Sequence, residues 1–102
     1  MYAIMTASYP NDKVKEVIDV YLKAMAKYPD DPSLATPIVP VATRPTHHGM
    51  TVIVVYEIKK GKLEDALAHG AKRMAMFNVI PGYRYSIKLF TNLEEGMKIA
   101  GT

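Results

Sequence analysis

Two adjacent histidines, His47 and His48, are the most conspicuous chemical pair in the sequence. An imidazole titrates near neutral pH, so either residue could act as an acid, a base or a ligand in a pocket. Neighbouring residues of a strand point to opposite sides, so the two cannot easily share one metal unless a turn brings them together. Without a third histidine or a carboxylate nearby, the pair is only weak evidence for a metal site. Two interpretations stay open: ordinary turn residues, or catalytic residues.

A single carboxylate, Glu57, interrupts the apolar segment TVIVVYEI at residues 51–58. A buried carboxylate has a raised pKa, which suits it to proton transfer. Glu57 is therefore a third catalytic candidate beside the two histidines. The alternative is that Glu57 lies near a strand end and pairs with a lysine, or with Arg84 across a subunit interface.

Four further side chains are candidates for ligand binding, namely Tyr56, His69, Arg84 and Tyr85. A tyrosine hydroxyl can orient a carbonyl or a phenol, and an arginine can bind an anion. The alternative is that the tyrosines fill the core and an interface, while His69 faces solvent or lines a groove. The HExxH spacing of a zinc site is absent around His69.

The composition excludes several classes of function. The 102 residues include no cysteine, which excludes disulfides, thiolate catalysis and thiolate metal sites. No Gly-rich phosphate loop is present, and TVIVVYEI lacks the aromatic pattern of an RNA-recognition strand. The net charge of +3 is scattered, apart from Lys59, Lys60 and Lys62. We expect no metal, no cofactor and no nucleic-acid partner.

The length and the hydropathy pattern indicate a small cytoplasmic protein. A chain of 102 residues suits a single domain over residues 1–102. The N-terminal segment MYAIMTASYP has neither the basic region nor the apolar core of a signal peptide. No apolar run approaches the ~20 residues that cross a membrane. We therefore expect no membrane partner.

Hydrophobic periodicity predicts the element order β-α-β-β-α-β, followed by a short helix. This order is typical of the ferredoxin-like, or split βαβ, arrangement. The expected elements are a strand at 2–8, a helix ending before Pro29, a strand within the proline-rich segment 28–49, a strand at 50–59, a helix at 62–79, a strand at 83–91, and a C-terminal helix with an Asn92–Glu95 capping box.

The predicted elements should form one sheet with both helices on one face. We expect the first and third strands to be central and parallel. The second strand should be an edge, because Pro37 and Pro40 cannot donate to a ladder, and the charged fourth strand should be the other edge. Gly70 weakens the second helix, so we expect that helix to approach a neighbour closely there.

The segment TVIVVYEI is apolar on both sides, because Val52 and Val54 alternate with Ile53 and Val55. Two helices can cover only one face of a four-stranded sheet. At about 25 cal/mol per Å², burying a second face of a few hundred Å² would contribute several kcal/mol. We therefore expect a sheet-to-sheet homodimer or a higher oligomer. The alternative is a monomer that exposes an apolar face.

Two segments, YEIKKGKLEDAL and PGYRYSIKLF, resemble the dimeric α+β barrel superfamily. Its members include antibiotic-biosynthesis monooxygenase-like, stress-responsive barrel, muconolactone isomerase-like and haem-handling families. The resemblance implies a homodimeric barrel of ferredoxin-like subunits. The haem-handling members imply that a histidine on the second helix, here His69, could be an axial ligand if a hollow lay between helix and sheet. The superfamily hosts many chemistries, so the resemblance implies no single function.

Two classes of function remain open. The first is a cofactor-independent enzyme or a binder of a small organic molecule in the helix–sheet cleft, under the proline-rich segment. There His47, His48 and Glu57 would move protons, while Tyr56 or Tyr85 would orient the ligand. The second is a non-catalytic assembly or regulatory module.

Overall fold

The computed structural model describes residues 1–101, which form an α+β fold of four strands and three α-helices. The predicted order of elements is confirmed. Short 3₁₀ turns lie at Asn11–Lys13, before the first long helix, and at Met76–Val79, after the second. The elements are β1 (Tyr2–Tyr9), α1 (Val14–Lys27), β2 (Ala35–Thr46), β3 (Gly49–Ile58), α2 (Leu63–Ala75), β4 (Arg84–Phe90) and α3 (Leu93–Ile99).

The four strands form one sheet in the order β2-β3-β1-β4. The prediction that β1 and β3 are central is confirmed, but the prediction that they are parallel is wrong, because every neighbouring pair is antiparallel. Each strand–helix–strand unit has its two strands running in the same direction, with one strand position left between them. A strand of the other unit, which runs the opposite way, fills that position.

The proline-rich segment forms β2 at one edge of the sheet, as predicted. The strand pairs with β3 along its length, with register shifts between Pro37 and Val39 and between Val39 and Ala42. An edge strand tolerates prolines because only one of its sides must supply hydrogen bonds to the ladder. The strand is longer than expected, since pairing continues through Pro45 to Thr46.

Both helices are amphipathic, but they do not press closely on the sheet. Val17 and Ala24 of α1 are buried, whereas Ile18 and Leu22 of the predicted apolar stripe are 50% and 61% exposed. In α2, a β-carbon added at Gly70 would meet no atom within 4 Å. The prediction of a close approach at Gly70 is therefore wrong.

The core lies between the helices and the face of the sheet that carries Val52 and Val54. The opposite face of the sheet has no helix from α1 or α2 against its central strands, and we call it the open face. In register, Ile53 lies beside Thr6 and Val55 lies beside Ile4. The open face comprises Tyr2, Ile4, Thr6, Ser8, Thr36, Val39, Ala42, Arg44, Thr51, Ile53, Val55, Glu57, Arg84, Ser86, Lys88 and Phe90.

The C-terminal helix α3 begins with the predicted capping box. The Asn92 side chain accepts from the backbone N–H of Glu95, and the Glu95 carboxylate accepts from the backbone N–H of Asn92. Glu95 also pairs with the N-terminal ammonium of Met1. Two apolar side chains of α3, Leu93 and Ile99, remain 80% and 77% exposed. Within residues 1–101, no helix has the length and apolar character that crossing a membrane requires.

Candidate functional site

We call the face of the sheet opposite the open face the covered face. A partly open cavity of about 350 Å³ lies between the two long helices and this covered face. It exists because the helices stand off the sheet instead of packing directly on it. Small residues widen it from the helix side, notably Ala24 of α1 with Ala66 and Gly70 of α2. Val52 and Val54 of β3 form part of the opposite wall.

An aromatic layer forms part of the cavity wall. The rings of Phe77 and Tyr83 stack with centroids 4.7 Å apart, and Tyr9 stacks on Tyr83 at 5.9 Å. Burial, reinforced by the neighbouring hydroxyls of Tyr9 and Tyr85, raises the pKa of Tyr83 to about 12. Burial also raises the pKa of Tyr9. These phenols therefore stay neutral at physiological pH, and this wall is apolar and uncharged.

A polar cluster of Asp30, Tyr56 and Arg73 lies at one side of the cavity. The Tyr56 hydroxyl donates to Oδ1 of Asp30 at 2.8 Å, and Nη1 of Arg73 donates to the Tyr56 hydroxyl at 3.2 Å. Nε of Arg73 donates to the backbone carbonyl of Tyr28 at 2.6 Å. The cluster thereby ties α2 to β3 and to the segment that follows α1.

Arg73 and Asp30 form an ion pair, with Nη2 and Oδ1 separated by 2.9 Å. The geometry falls short of an aligned hydrogen bond, so this buried nitrogen keeps an unused N–H. Burial is the main cause that raises the pKa of Tyr56, and its hydrogen bond to Asp30 adds to the rise. Tyr56 therefore acts as a neutral donor toward Asp30 rather than as a phenolate.

His69 of α2 lines the same cavity. Its Nε2 atom is buried and has no hydrogen-bond partner among the described residues. The ring meets Tyr28 edge-on, with centroids 6.5 Å apart and an interplanar angle of 83°. A buried polar nitrogen without a partner is uncommon in folded proteins.

Asp31 lies at the rim of the cavity and organises the turn between α1 and β2. Its carboxylate accepts from the hydroxyl and the backbone N–H of Ser33, at 2.6 and 2.9 Å. These two hydrogen bonds are the main cause that lowers the pKa of Asp31, and the charges of His69 and Lys62 lower it further. Asp31 therefore remains a carboxylate, and it places a fixed negative charge in the part of the cavity wall near His69.

Of the ligand-binding candidates, the structure brings Tyr56 and His69 to one cavity. Tyr85 lies in register with the core residue Ala7 at the β4 edge, where it is 41% exposed. Arg84 belongs to the open face, beside Ser8.

The catalytic candidates do not meet one another. His47 and His48 are exposed residues of the turn between β2 and β3. Glu57 lies near the other end of β3, on the open face beside Tyr2 and Thr36. Within residues 1–101, no group of three or more His, Cys, Asp or Glu side chains is arranged to hold a metal ion.

Sequence reasoning missed Asp30 and Arg73, which complete the polar cluster. Arg73 lies three residues after Gly70, so it is beside the apolar stripe of α2, where a charge is unexpected. That position was the available signal. Asp30 gave no such signal, because its neighbours Pro29, Asp31 and Pro32 indicate only a turn.

Searches of protein-family models and of curated proteins give no match. Solved structures do resemble this chain. A formyltetrahydrofolate deformylase from Pseudomonas putida KT2440 matches with a TM-score of 0.56 and 11% identity. The match covers 88% of this chain and 29% of the deformylase, so the chain spans less than a third of that enzyme.

The de novo designed protein Foldit4 matches with a TM-score of 0.53 and 14% identity. That match covers 89% of this chain and 94% of the designed protein. At such identities, both similarities concern the fold alone. They are consistent with a small ferredoxin-like α+β fold.

Proposed function

We propose that this chain binds a small organic molecule in the helix–sheet cavity. One observation carries the proposal: a cavity of about 350 Å³ has largely apolar walls, and on one side it is lined by Tyr56, His69 and Arg73, which contact residues 28–30. Sites for small ligands are typically ~300–1,000 Å³ and combine apolar walls with a few polar groups that fix orientation. A core that served stability alone would be filled by side chains.

The geometry favours binding over catalysis. His47, His48 and Glu57, the candidates for proton transfer, lie outside the cavity wall. Within the cavity, Asp30 is engaged by both Arg73 and Tyr56. The polar cluster is thus suited to holding the wall in shape and orienting a ligand.

Gly70 provides the sharpest test of cavity binding. A β-carbon at Gly70 would meet no atom within 4 Å, and Gly70 lines the cavity, so the side chain of Gly70→Leu should occupy part of the cavity. Replacing glycine within a helix should also favour the helix, by up to ~1 kcal/mol. Ala68→Leu is the matched control, because Ala68 is an exposed residue of the same helix.

Naphthalene is a suitable probe, since it is uncharged and smaller than the cavity. We expect saturable one-to-one binding by wild type and by Ala68→Leu in a fluorescence titration, and a loss of at least about tenfold in Gly70→Leu. Thermal melting should show that Gly70→Leu is folded. Absence of saturable binding by wild type, or equal binding by Gly70→Leu, would refute the proposal. Native mass spectrometry of freshly purified protein would reveal any ligand that copurifies.

We propose in addition that the open face pairs with a second copy, giving a homodimeric α+β barrel of ferredoxin-like subunits. The support is an excess of exposed surface. The chain exposes 6962 Å², roughly a fifth more than the ~5,700 Å² usual for a monomer of 11.3 kDa. The excess exceeds the ~800 Å² that each partner buries in a standard interface. The radius of gyration, 14.9 Å, likewise exceeds the ~13 Å expected for this length.

The same excess of surface favours a second candidate function, a non-catalytic assembly module whose role is to associate. Under that alternative the cavity is only a consequence of loose helix packing. Wild type would then bind naphthalene no better than Gly70→Leu does, while self-association would persist in both proteins.

A further inference from the structure

The cavity follows β3 for more than half of the strand. Its wall includes four residues of the covered face, Val52, Val54, Tyr56 and Ile58. At about 3.3 Å per residue, the Cα atoms of Val52 and Ile58 are roughly 20 Å apart. The lining residues of α2 extend from Ala66 to Met74, which is about 12 Å of helix. The cavity is therefore elongated along the strand.

The volume of the cavity is small for this length. A cavity of about 350 Å³ has room for about a dozen groups of the size of a water molecule, at ~30 Å³ each. A methylene group is close to water in size, so the same space holds about a dozen carbon atoms of a chain. Over a length of roughly 20 Å, a dozen such groups lie nearly in single file. A compact molecule of the same volume would leave part of the length empty.

The two ends of the cavity differ in chemistry. Tyr9 of the aromatic layer is in register with Met50, whereas the polar cluster contacts β3 at Tyr56, six residues further along. The side chain of Asp30 in the polar cluster is 35% exposed, so water reaches that end. Burying a polar group without a partner against the aromatic layer would be unfavourable. The polar group of a ligand therefore belongs at the end with the polar cluster, where it can stay hydrated.

We propose that the cavity ligand is a linear apolar chain of about ten to twelve carbon atoms that carries one polar end group. The chain lies along β3 toward the aromatic layer, and the end group lies beside the polar cluster. This inference rests on the proposed function and specifies its ligand class, of which long-chain alcohols are the simplest members.

Straight-chain primary alcohols from 1-hexanol to 1-tetradecanol test the inference. Equilibrium dialysis of the radiolabelled alcohols, each below its solubility limit, measures their affinities for wild type. We expect the affinity to rise about threefold to fourfold with each added methylene, because each one leaves water for the apolar wall. The gain should stop near about twelve carbons, where the cavity is full. We call the chain length at which the gain stops the cutoff.

The two leucine variants of α2 test whether the cavity sets the cutoff. Gly70 lies between Ala66 and Phe77 along the wall, so the side chain of Gly70→Leu should occupy part of the length that a chain would fill. We expect the cutoff of Gly70→Leu to fall several carbons below that of wild type. Ala68→Leu, at an exposed position of the same helix, should keep the cutoff of wild type.

The outcomes separate this inference from the proposed function. If naphthalene binds but the affinity for the alcohols does not rise with chain length, the linear ligand is overturned and cavity binding stands. The linear ligand is also overturned if the gain continues through 1-tetradecanol, or if Gly70→Leu keeps the cutoff of wild type, because the cavity then does not confine the chain. If neither naphthalene nor any alcohol binds saturably, both proposals fail together.

Discussion

The two faces of the sheet are built from the same strands, yet they differ in chemistry. On the covered face, Val52 and Val54 of β3 are 7% and 9% exposed. On the open face, their neighbour Ile53 is 39% exposed, although its side chain is equally apolar. Position relative to the helices, rather than residue type, therefore decides burial within this strand.

The open face mixes apolar and polar side chains. In register, Val39, Val55 and Ile4 form an apolar row across β2, β3 and β1, and Lys88 of β4 ends that row. Charged residues lie toward its margins, including Arg44 and Arg84. An apolar centre with a polar rim is the usual anatomy of a protein interface. The covered face, by contrast, has its polar groups clustered at one side of a cavity.

Adjacent substitutions in β3 should give the largest contrast between the faces. Val54→Asp places a carboxylate among core residues, so we expect destabilisation by more than about 4 kcal/mol and loss of the fold. Ile53→Asp places the same group on the open face, where water can reach it in a monomer. We expect that variant to stay folded and to change from dimer to monomer. Circular dichroism reports folding, and light scattering at micromolar concentration reports mass.

Two results would contradict this contrast. A folded Ile53→Asp protein with the mass of wild type would exclude the open face as the dimer interface. A folded Val54→Asp protein would mean that water in the partly open cavity reaches the side chain at position 54. Val55→Asp, also on the open face, should repeat the behaviour of Ile53→Asp.

Much of the fold could be predicted from the sequence because it depends on local patterns. The apolar run of β3, the stripe of α1 and the prolines of β2 each predicted an element or its place in the sheet. The direction of β1 relative to β3 was wrong, because it depends on how two crossovers interleave rather than on any local pattern.

The site was less predictable, since its polar groups come from three separated segments. Tyr56 and His69 stood out as residues that could do chemistry, but nothing local shows that Asp30 meets Arg73 across 43 positions. The cavity was equally hidden. It depends on the distance between helix and sheet, which side-chain volumes throughout the layer set together. Gly70 illustrates the difficulty, because the same residue suits close packing and open space.

Arg73 should contribute more to stability than an arginine of the open face. Arg73→Met removes the hydrogen bonds to Tyr28 and Tyr56 and leaves Asp30 without its cation, so we expect a loss of about 2–3 kcal/mol in the free energy of unfolding. The side chain of Asp30 is 35% exposed, which keeps the loss below that of a fully buried pair. Arg84→Met, at an exposed position, should change the free energy by less than about 0.5 kcal/mol. Urea denaturation measures both, and equal losses would contradict the distinction.

Tyr83 should make the covered face sensitive to alkaline pH. Its pKa is raised from 10.0 to about 12 in the folded protein, mainly by burial. Between these values the folded state holds a proton that the unfolded state has lost, so the associated stability is fully present below pH 10 and is lost as pH rises toward 12. We expect a decrease of up to about 2 kcal/mol over this window, measured by urea denaturation.

Tyr83→Phe is the control for the alkaline effect, because it keeps the stacked ring and removes the ionisable hydroxyl. The variant should lose most of the decrease between pH 10 and 12, and only the smaller contributions of Tyr9 and Tyr56, whose pKa values are also raised, should remain. An ultraviolet titration of tyrosinate should show one fewer late-titrating group in the variant. If Tyr83→Phe declines as steeply as wild type, the aromatic layer is open to water, and the covered face is less dry than its packing indicates.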